Sequence, residues 1–121
     1  METPEILIVQ KPITRVQAQE LAEKWHGRMV KGVADCRQGI VALGGEWHMD
    51  ANVCLLKEGS SQEDIWGFNL YPFEEGPHAL EYISLINIRP AQNNRDMELK
   101  DQRLRDTIKK LLRALVPDLP L

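Results

Sequence analysis

Glu46, His48 and Asp50 stand at alternate positions in Gly44-Gly45-Glu46-Trp47-His48-Met49-Asp50. A neutral imidazole can bind a metal or accept a proton, and a neighbouring carboxylate fixes its tautomer and raises its basicity. An extended chain sends alternate side chains to one side. The run is therefore read as one strand face carrying an acid, an imidazole and a second acid. Asp50 has a competing use as the N-cap of a following helix, where its carboxylate would take up a free amide. Three ligands on a single strand are poorly spread around a metal, so no metal site is assigned. His48 reads either as a general base oriented by Glu46 or as a hydrogen-bonded structural histidine.

Two other segments start apolar and turn polar. Ile65 to Tyr71 carries Asn69, and Ile83 to Pro90 carries Asn87 and Arg89. Asparagine is depleted in strands, so Asn69 and Asn87 either face a site or bridge strands. The five donors of Arg89 need an anion or carbonyls. Its partner is either Glu46 or Asp35, in a structural ion pair, or a ligand carboxylate or phosphate held in a bidentate clamp. Asn94 and Arg95 lie just beyond and can reach over the same end. The expectation is that His48 and Glu46 as catalytic candidates, and Asn69, Asn87, Arg89, Asn94 and Arg95 as ligand-binding candidates, converge at one end of a sheet.

The elements that would position these groups can be read from local signals. Glu5 to Gln10 is a β-rich apolar run. Thr14 and Gln17 match a capping box, and Ala18, Leu21, Ala22 and Trp25 recur at helical spacing up to Gly27. Met29 to Cys36 and Gly39 to Gly44 lack helical spacing and read as a hairpin turning at Arg37-Gln38-Gly39. The second of these strands is expected to continue through Gly44-Gly45, where paired glycines suggest a bulge or a close approach to the backbone. A helix from Ala51 to Glu58, a strand from Ile65 to Tyr71 and a strand from Leu80 to Arg89 follow. Asp101 is a suitable cap for a last helix, whose Leu104, Ile108, Leu111, Leu112 and Leu115 form an apolar stripe. The order β-α-β-β-α-β-β-α predicts a single α+β domain over residues 1–121. In it an antiparallel or mixed sheet of about five strands packs against three helices.

Composition limits the function classes. The chain has 121 residues, 43% of them hydrophobic and 27% charged, as in a folded globular protein. No apolar run approaches the ~20 residues that cross a bilayer. The acidic start at Met1 to Glu5 lacks the basic region of a signal peptide, so a cytoplasmic location is expected. Cys36 and Cys54 form no CxxC pair and read as small buried apolar residues. No nucleophile elbow, phosphate loop or dinucleotide fingerprint is present, and the sequence names no cofactor. Residues 46–81 carry eight acids and one base, whereas residues 103–113 carry five bases and one acid. The net charge of −3 argues against nucleic acid as a partner of the basic helix.

At Gly44-Gly45-Glu46-Trp47-His48, Gly59-Ser60-Ser61-Gln62, Trp66-Gly67-Phe68-Asn69-Leu70-Tyr71-Pro72 and Ile86-Asn87-Ile88-Arg89-Pro90, the chain resembles a family of short prokaryotic proteins of unknown function. The likeness extends through Asn94-Arg95 and the last helix. It implies a bacterial or archaeal cytoplasmic protein and carries over no catalytic residue.

Three functional expectations follow. The first is a small cytoplasmic binding protein with a polar pocket at the end of the sheet for a small polar or anionic ligand. The second is a hydrolase or other acid-base enzyme using His48, Glu46 and Arg89. The third is an interaction or homo-oligomerisation module in which the polar residues are structural.

Overall fold

Five antiparallel strands run in the order β1-β3-β2-β4-β5. They are β1 (Ile6–Val9), β2 (Val30–Asp35), β3 (Ile40–Gly44), β4 (Ile65–Leu70) and β5 (Leu80–Glu81). Three helices complete the α+β domain: α1 (Arg15–Glu23), α2 (His48–Lys57) and α3 (Gln102–Leu115). The structure is a computed structural model that describes residues 5–121. The element order is the one expected.

Strand alternation divides the apolar residues into two layers. Val9, Val30, Ala34, Val41, Leu43, Trp66, Phe68 and Leu70 face α1 and α3. Val33, Ala42 and Ile65 face α2, where Ala51 and Leu55 meet them. Burial of these faces supplies the main drive to fold. The stripe on α3 puts Ile108 and Leu112 fully inside. Asp101 caps that helix by accepting from the amides of Arg103 and Leu104 at 2.9 and 3.4 Å. The capping box of α1 forms in both directions, Gln17 N to Thr14 Oγ1 at 3.1 Å and Thr14 N to Gln17 Oε1 at 2.9 Å.

The hairpin between β2 and β3 is held by Asp35. One carboxylate oxygen accepts from the amides of Arg37 and Gln38 at 2.9 and 2.8 Å. The other accepts from Ser60 Oγ at 2.6 Å and Gln38 Nε2 at 2.8 Å. Burial would push the Asp35 carboxyl upward, but these four donors outweigh it and hold the group below its ordinary value. The Ser60 in the Gly59-Ser60-Ser61-Gln62 motif is thus a structural donor.

Two expectations about boundaries are corrected. The first concerns Gly44 and Gly45, which take φ of 122° and 92°. A Cβ at Gly44 would lie 2.6 Å from the Glu5 carbonyl oxygen, and one at Gly45 would lie 2.9 Å from Asp50 Cβ. The pair ends β3 and turns the chain into α2 three residues earlier than expected. His48 is therefore the first residue of a helix, not a strand residue. Asp50 lies within the first turn, and its Oδ2 reaches back to the Trp47 amide at 3.0 Å. The second correction concerns the segment after Glu81, which leaves the sheet. A short 3-10 turn at Leu85–Asn87 and another at Pro90–Gln92 replace the expected strand up to Arg89.

Candidate functional site

Asn87 shows what replaces the missing strand. Its carboxamide accepts from Gly67 N at 2.8 Å and donates to Gly67 O at 3.0 Å, so one side chain supplies both ladder bonds beside β4. Close approach requires the glycine, because a Cβ at Gly67 would lie 2.5 Å from Ser84 Cβ. Asn94 organises the next loop. Its amide nitrogen donates to the carbonyls of Asn87, Asp96 and Glu98 at 2.8, 2.9 and 3.1 Å, and its Oδ1 accepts from Lys100 N at 2.9 Å.

Arg89 is bound by carbonyls. Its guanidinium donates to Ile86 O at 3.0 Å, to Gln62 O at 2.6 Å and to Ile65 O. It stacks over the buried Trp66 ring, 3.7 Å from the centroid. A further bond goes to Gln92 Oε1 at 3.2 Å, so its donors are spent on carbonyl oxygens, and neither Glu46 nor Asp35 is its partner among the described residues. Asn87, Arg89 and Asn94 brace the chain from 83 to 100, and Arg95 is exposed beside them.

His48 lies elsewhere. Its Nε2 donates to the Phe68 carbonyl at 2.9 Å, whereas Arg89 meets β4 at Ile65. Three residues of strand separate these contacts, about 10 Å at the usual rise. The seven candidates are therefore not brought to one place. Glu46 is exposed and forms no side-chain bond to His48 among the described residues; its carbonyl contacts His26 Nε2 at 3.0 Å. The expected pairing of Glu46 with His48 required a strand, and a helix start separates them.

Asn69 is the candidate that does lie beside His48. It is on β4, on the α2 side of the sheet, and only 7% exposed. Its Nδ2 donates to Glu81 Oε1 at 3.3 Å and to Ile83 O at 3.2 Å. Both partners can only accept, which fixes the amide orientation. Asn69 Oδ1 is closed off from solvent and has no hydrogen-bond partner in range among the described residues. A protonated imidazole would bond to this side chain, which favours the charged ring. Burial outweighs that help and holds His48 down to about 4. The neutral ring donates from Nε2 and keeps Nδ1 as an acceptor.

Above Asn69 and His48 opens a groove of about 530 Å³. Its walls are Trp47 and Met49 from the start of α2, Ile83, Leu85 and Ile86 from the segment after β5, and Met97. Trp47, Met49 and Leu85 are 61%, 52% and 68% exposed, large values for such side chains. Lys31 and Ser84 complete the lining. Lys31 faces Asn69 directly across the β2–β4 pairing.

Sequence reasoning missed Lys31, Trp47, Met49, Leu85 and Met97. The available signal was a lone lysine in an apolar strand and a cluster of methionines and a tryptophan near His48. Among the described residues, no three His, Cys, Asp or Glu side chains gather to hold a metal ion, and no helix is long and apolar enough to cross a membrane. Cys36 and Cys54 are free and half-buried, less enclosed than expected. Burial, then the charges of Asp35 and Asp64, push the Cys36 thiol up to about 12.

A family model for proteins of unknown function matches residues 7–115. The chain belongs to that family, DUF5674. No curated protein and no solved structure matches it. The DUF5674 match spans both the braces around Asn87 and the groove residues Lys31, His48 and Asn69. It assigns none of them a role.

Proposed function

We propose that this protein binds a small molecule in the groove between the start of α2 and the segment after β5. The observation that carries this reading is the groove itself, about 530 Å³ of open space around which Trp47, Met49, Leu85 and Met97 stand exposed. An apolar body would cover Trp47, Met49, Leu85 and Met97, and a polar or anionic group would meet Lys31. The size suits a small-molecule site, which is typically apolar with a few placed polar groups. The proposed ligand site thus lies over Asn69 and His48 and not at Arg89, Asn87 or Asn94.

The acid-base reading has less support. His48 donates Nε2–H to a carbonyl and is a weak base, and among the described residues no carboxylate orients it. The interaction reading has one specific observation in its favour. Met49, Val53 and Leu56 are exposed at helical spacing along α2, beside the groove. A second copy of the chain could cover them, and sedimentation of the protein at micromolar and submillimolar concentrations would reveal it. The free cysteines favour a reducing, cytoplasmic setting in a prokaryotic cell.

The test is an amide and indole NMR screen with a library of small apolar molecules bearing one polar group. Binding is expected to shift Trp47, Met49, Asn69 and Leu85 together. A screen in which no compound shifts this set would contradict the proposal.

A further inference from the structure

The outer face of α2 differs from that of α3. Ala51 and Leu55 of α2 face the sheet, as a docked helix requires. On the opposite side Met49, Val53 and Leu56 stand 52%, 40% and 39% exposed. A surface helix keeps such a side polar, and a helix that is apolar all round is buried. α3 follows the rule, with Arg103, Asp106, Lys110 and Arg113 exposed. α2 carries two charged residues, Asp50 in its first turn and Lys57 in its last.

The spacing on this face is self-complementary. Val53 is its middle residue, with Met49 one turn before it and Leu56 one turn after. Two copies of α2 laid antiparallel about a two-fold axis put Val53 against Val53, and Met49 of each against Leu56 of the other. Such an axis also keeps each flank of the helix beside the same flank of its mate. Asp50 and Lys57 share one flank, about 60° and 40° round from Val53 at 3.6 residues per turn. They stand about 4.5 Å before Val53 and about 6 Å after it. Each Asp50 therefore meets the Lys57 of the other copy, in two equivalent ion pairs. A parallel pair would instead set Asp50 against Asp50 and Lys57 against Lys57. Glu58 lies about 140° round from Val53, off the contact.

We infer that a second copy of this chain covers the outer face of α2, in an antiparallel two-fold contact centred on Val53. This gives the interaction reading a partner and a geometry, and it stands apart from the ligand reading. Met49 belongs to both, since it is also a wall of the groove. Leu56 of the second copy would thus stand at the groove's rim. The contact is small, because the ten residues of α2 extend only about 15 Å. Interfaces below about 1,200 Å² are transient, so association at micromolar to submillimolar concentration is expected.

Sedimentation equilibrium of the full chain from about 1 µM to about 1 mM covers that range of dissociation constants. A monomer–dimer equilibrium is expected. Val53→Glu sets two carboxylates together at the axis and should raise the dissociation constant at least about tenfold. Lys57→Glu should raise it at least about threefold at low salt and by less at high salt. Both positions are exposed, and thermal melts check that the variants keep the fold. Under mild oxidation Val53→Cys should cross-link into a dimer faster than the unmodified chain, whose Cys36 and Cys54 set the background. A monomer throughout the range, a dimer indifferent to Val53→Glu, or Val53→Cys cross-linking no faster than the background would each overturn the inference. Species that grow beyond two copies would do so as well, because a two-fold contact closes at the dimer. None of these results decides the small-molecule screen, in which Trp47, Asn69 and Leu85 report on the groove of a single copy.

Discussion

Asn87 and Gly67 form two hydrogen bonds, N–H to Oδ1 at 2.8 Å and Nδ2 to carbonyl at 3.0 Å, in a fully buried setting. The side chain does for β4 what a neighbouring strand would otherwise do. Asn87→Leu keeps a similar volume but leaves both Gly67 groups unpaired. The expected loss is about 2–6 kcal/mol, from two buried groups at about 1–3 each. Urea denaturation would measure it, and a loss under ~0.5 kcal/mol, the scale of surface changes, would contradict the role given to Asn87.

The approach that permits this pairing has its own test. A Cβ at Gly67 would lie 2.5 Å from Ser84 Cβ and 2.7 Å from Ser84 Oγ. Gly67→Ala is expected to cost about 1–3 kcal/mol through overpacking. Adding Ser84→Gly removes the obstructing atoms, so the double variant should be more stable than the sum of the two single losses predicts. Strict additivity would show that the two residues are not in contact.

These two residues also show where the sequence stopped being legible. Thr14 with Gln17, Asp101, and the stripe through Ile108 are local signals, and they located α1 and α3 because caps and periodicity act within a few residues. The segment around Asn87 and Arg89 alternates like a strand, but its polar side chains bond to carbonyls of distant segments. No local pattern distinguishes an amide that bonds to β4 from one that bonds to a ligand. The Gly44-Gly45 pair signalled a close approach without revealing that the chain there turns into a helix. That turn took His48 out of register with Glu46. Lys31 stayed silent because its importance comes from lying opposite Asn69, a relationship of sheet register.

Stability should depend on the charge state of His48. Burial, above all, holds this imidazole down to about 4, against 6.5 for the free group. The unfolded chain therefore binds the proton more readily than the folded one. The contribution is complete above about pH 6.5, falls as the pH drops towards 4, and levels off below that. The expected loss between about pH 7.5 and 5 is roughly 2 kcal/mol. Urea unfolding across that interval should show it in the native chain and not in His48→Gln. Identical pH slopes in the two proteins would refute the assignment.

The basic helix leads to a negative expectation. Arg113 donates to the Leu121 carbonyl at 3.3 and 3.1 Å, and Arg105 donates to Leu99 O at 2.6 Å while lying over Tyr82. Arg103, Lys109 and Lys110 remain as surface cations on a chain of net charge −3. Phosphate binding needs several uncompensated cations. No binding to generic duplex or single-stranded nucleic acid is expected at physiological salt in an anisotropy titration. Salt-sensitive binding abolished by Lys109→Glu with Lys110→Glu would reverse this conclusion.

The most direct test of the ligand groove is a crystal structure of the protein with the tightest-binding compound from the screen. The account predicts the ligand in the groove, with its apolar part against Met49 and Leu85 and a polar group at Lys31. A ligand seated elsewhere, or one that leaves Met49, Leu85 and Lys31 untouched, would contradict it.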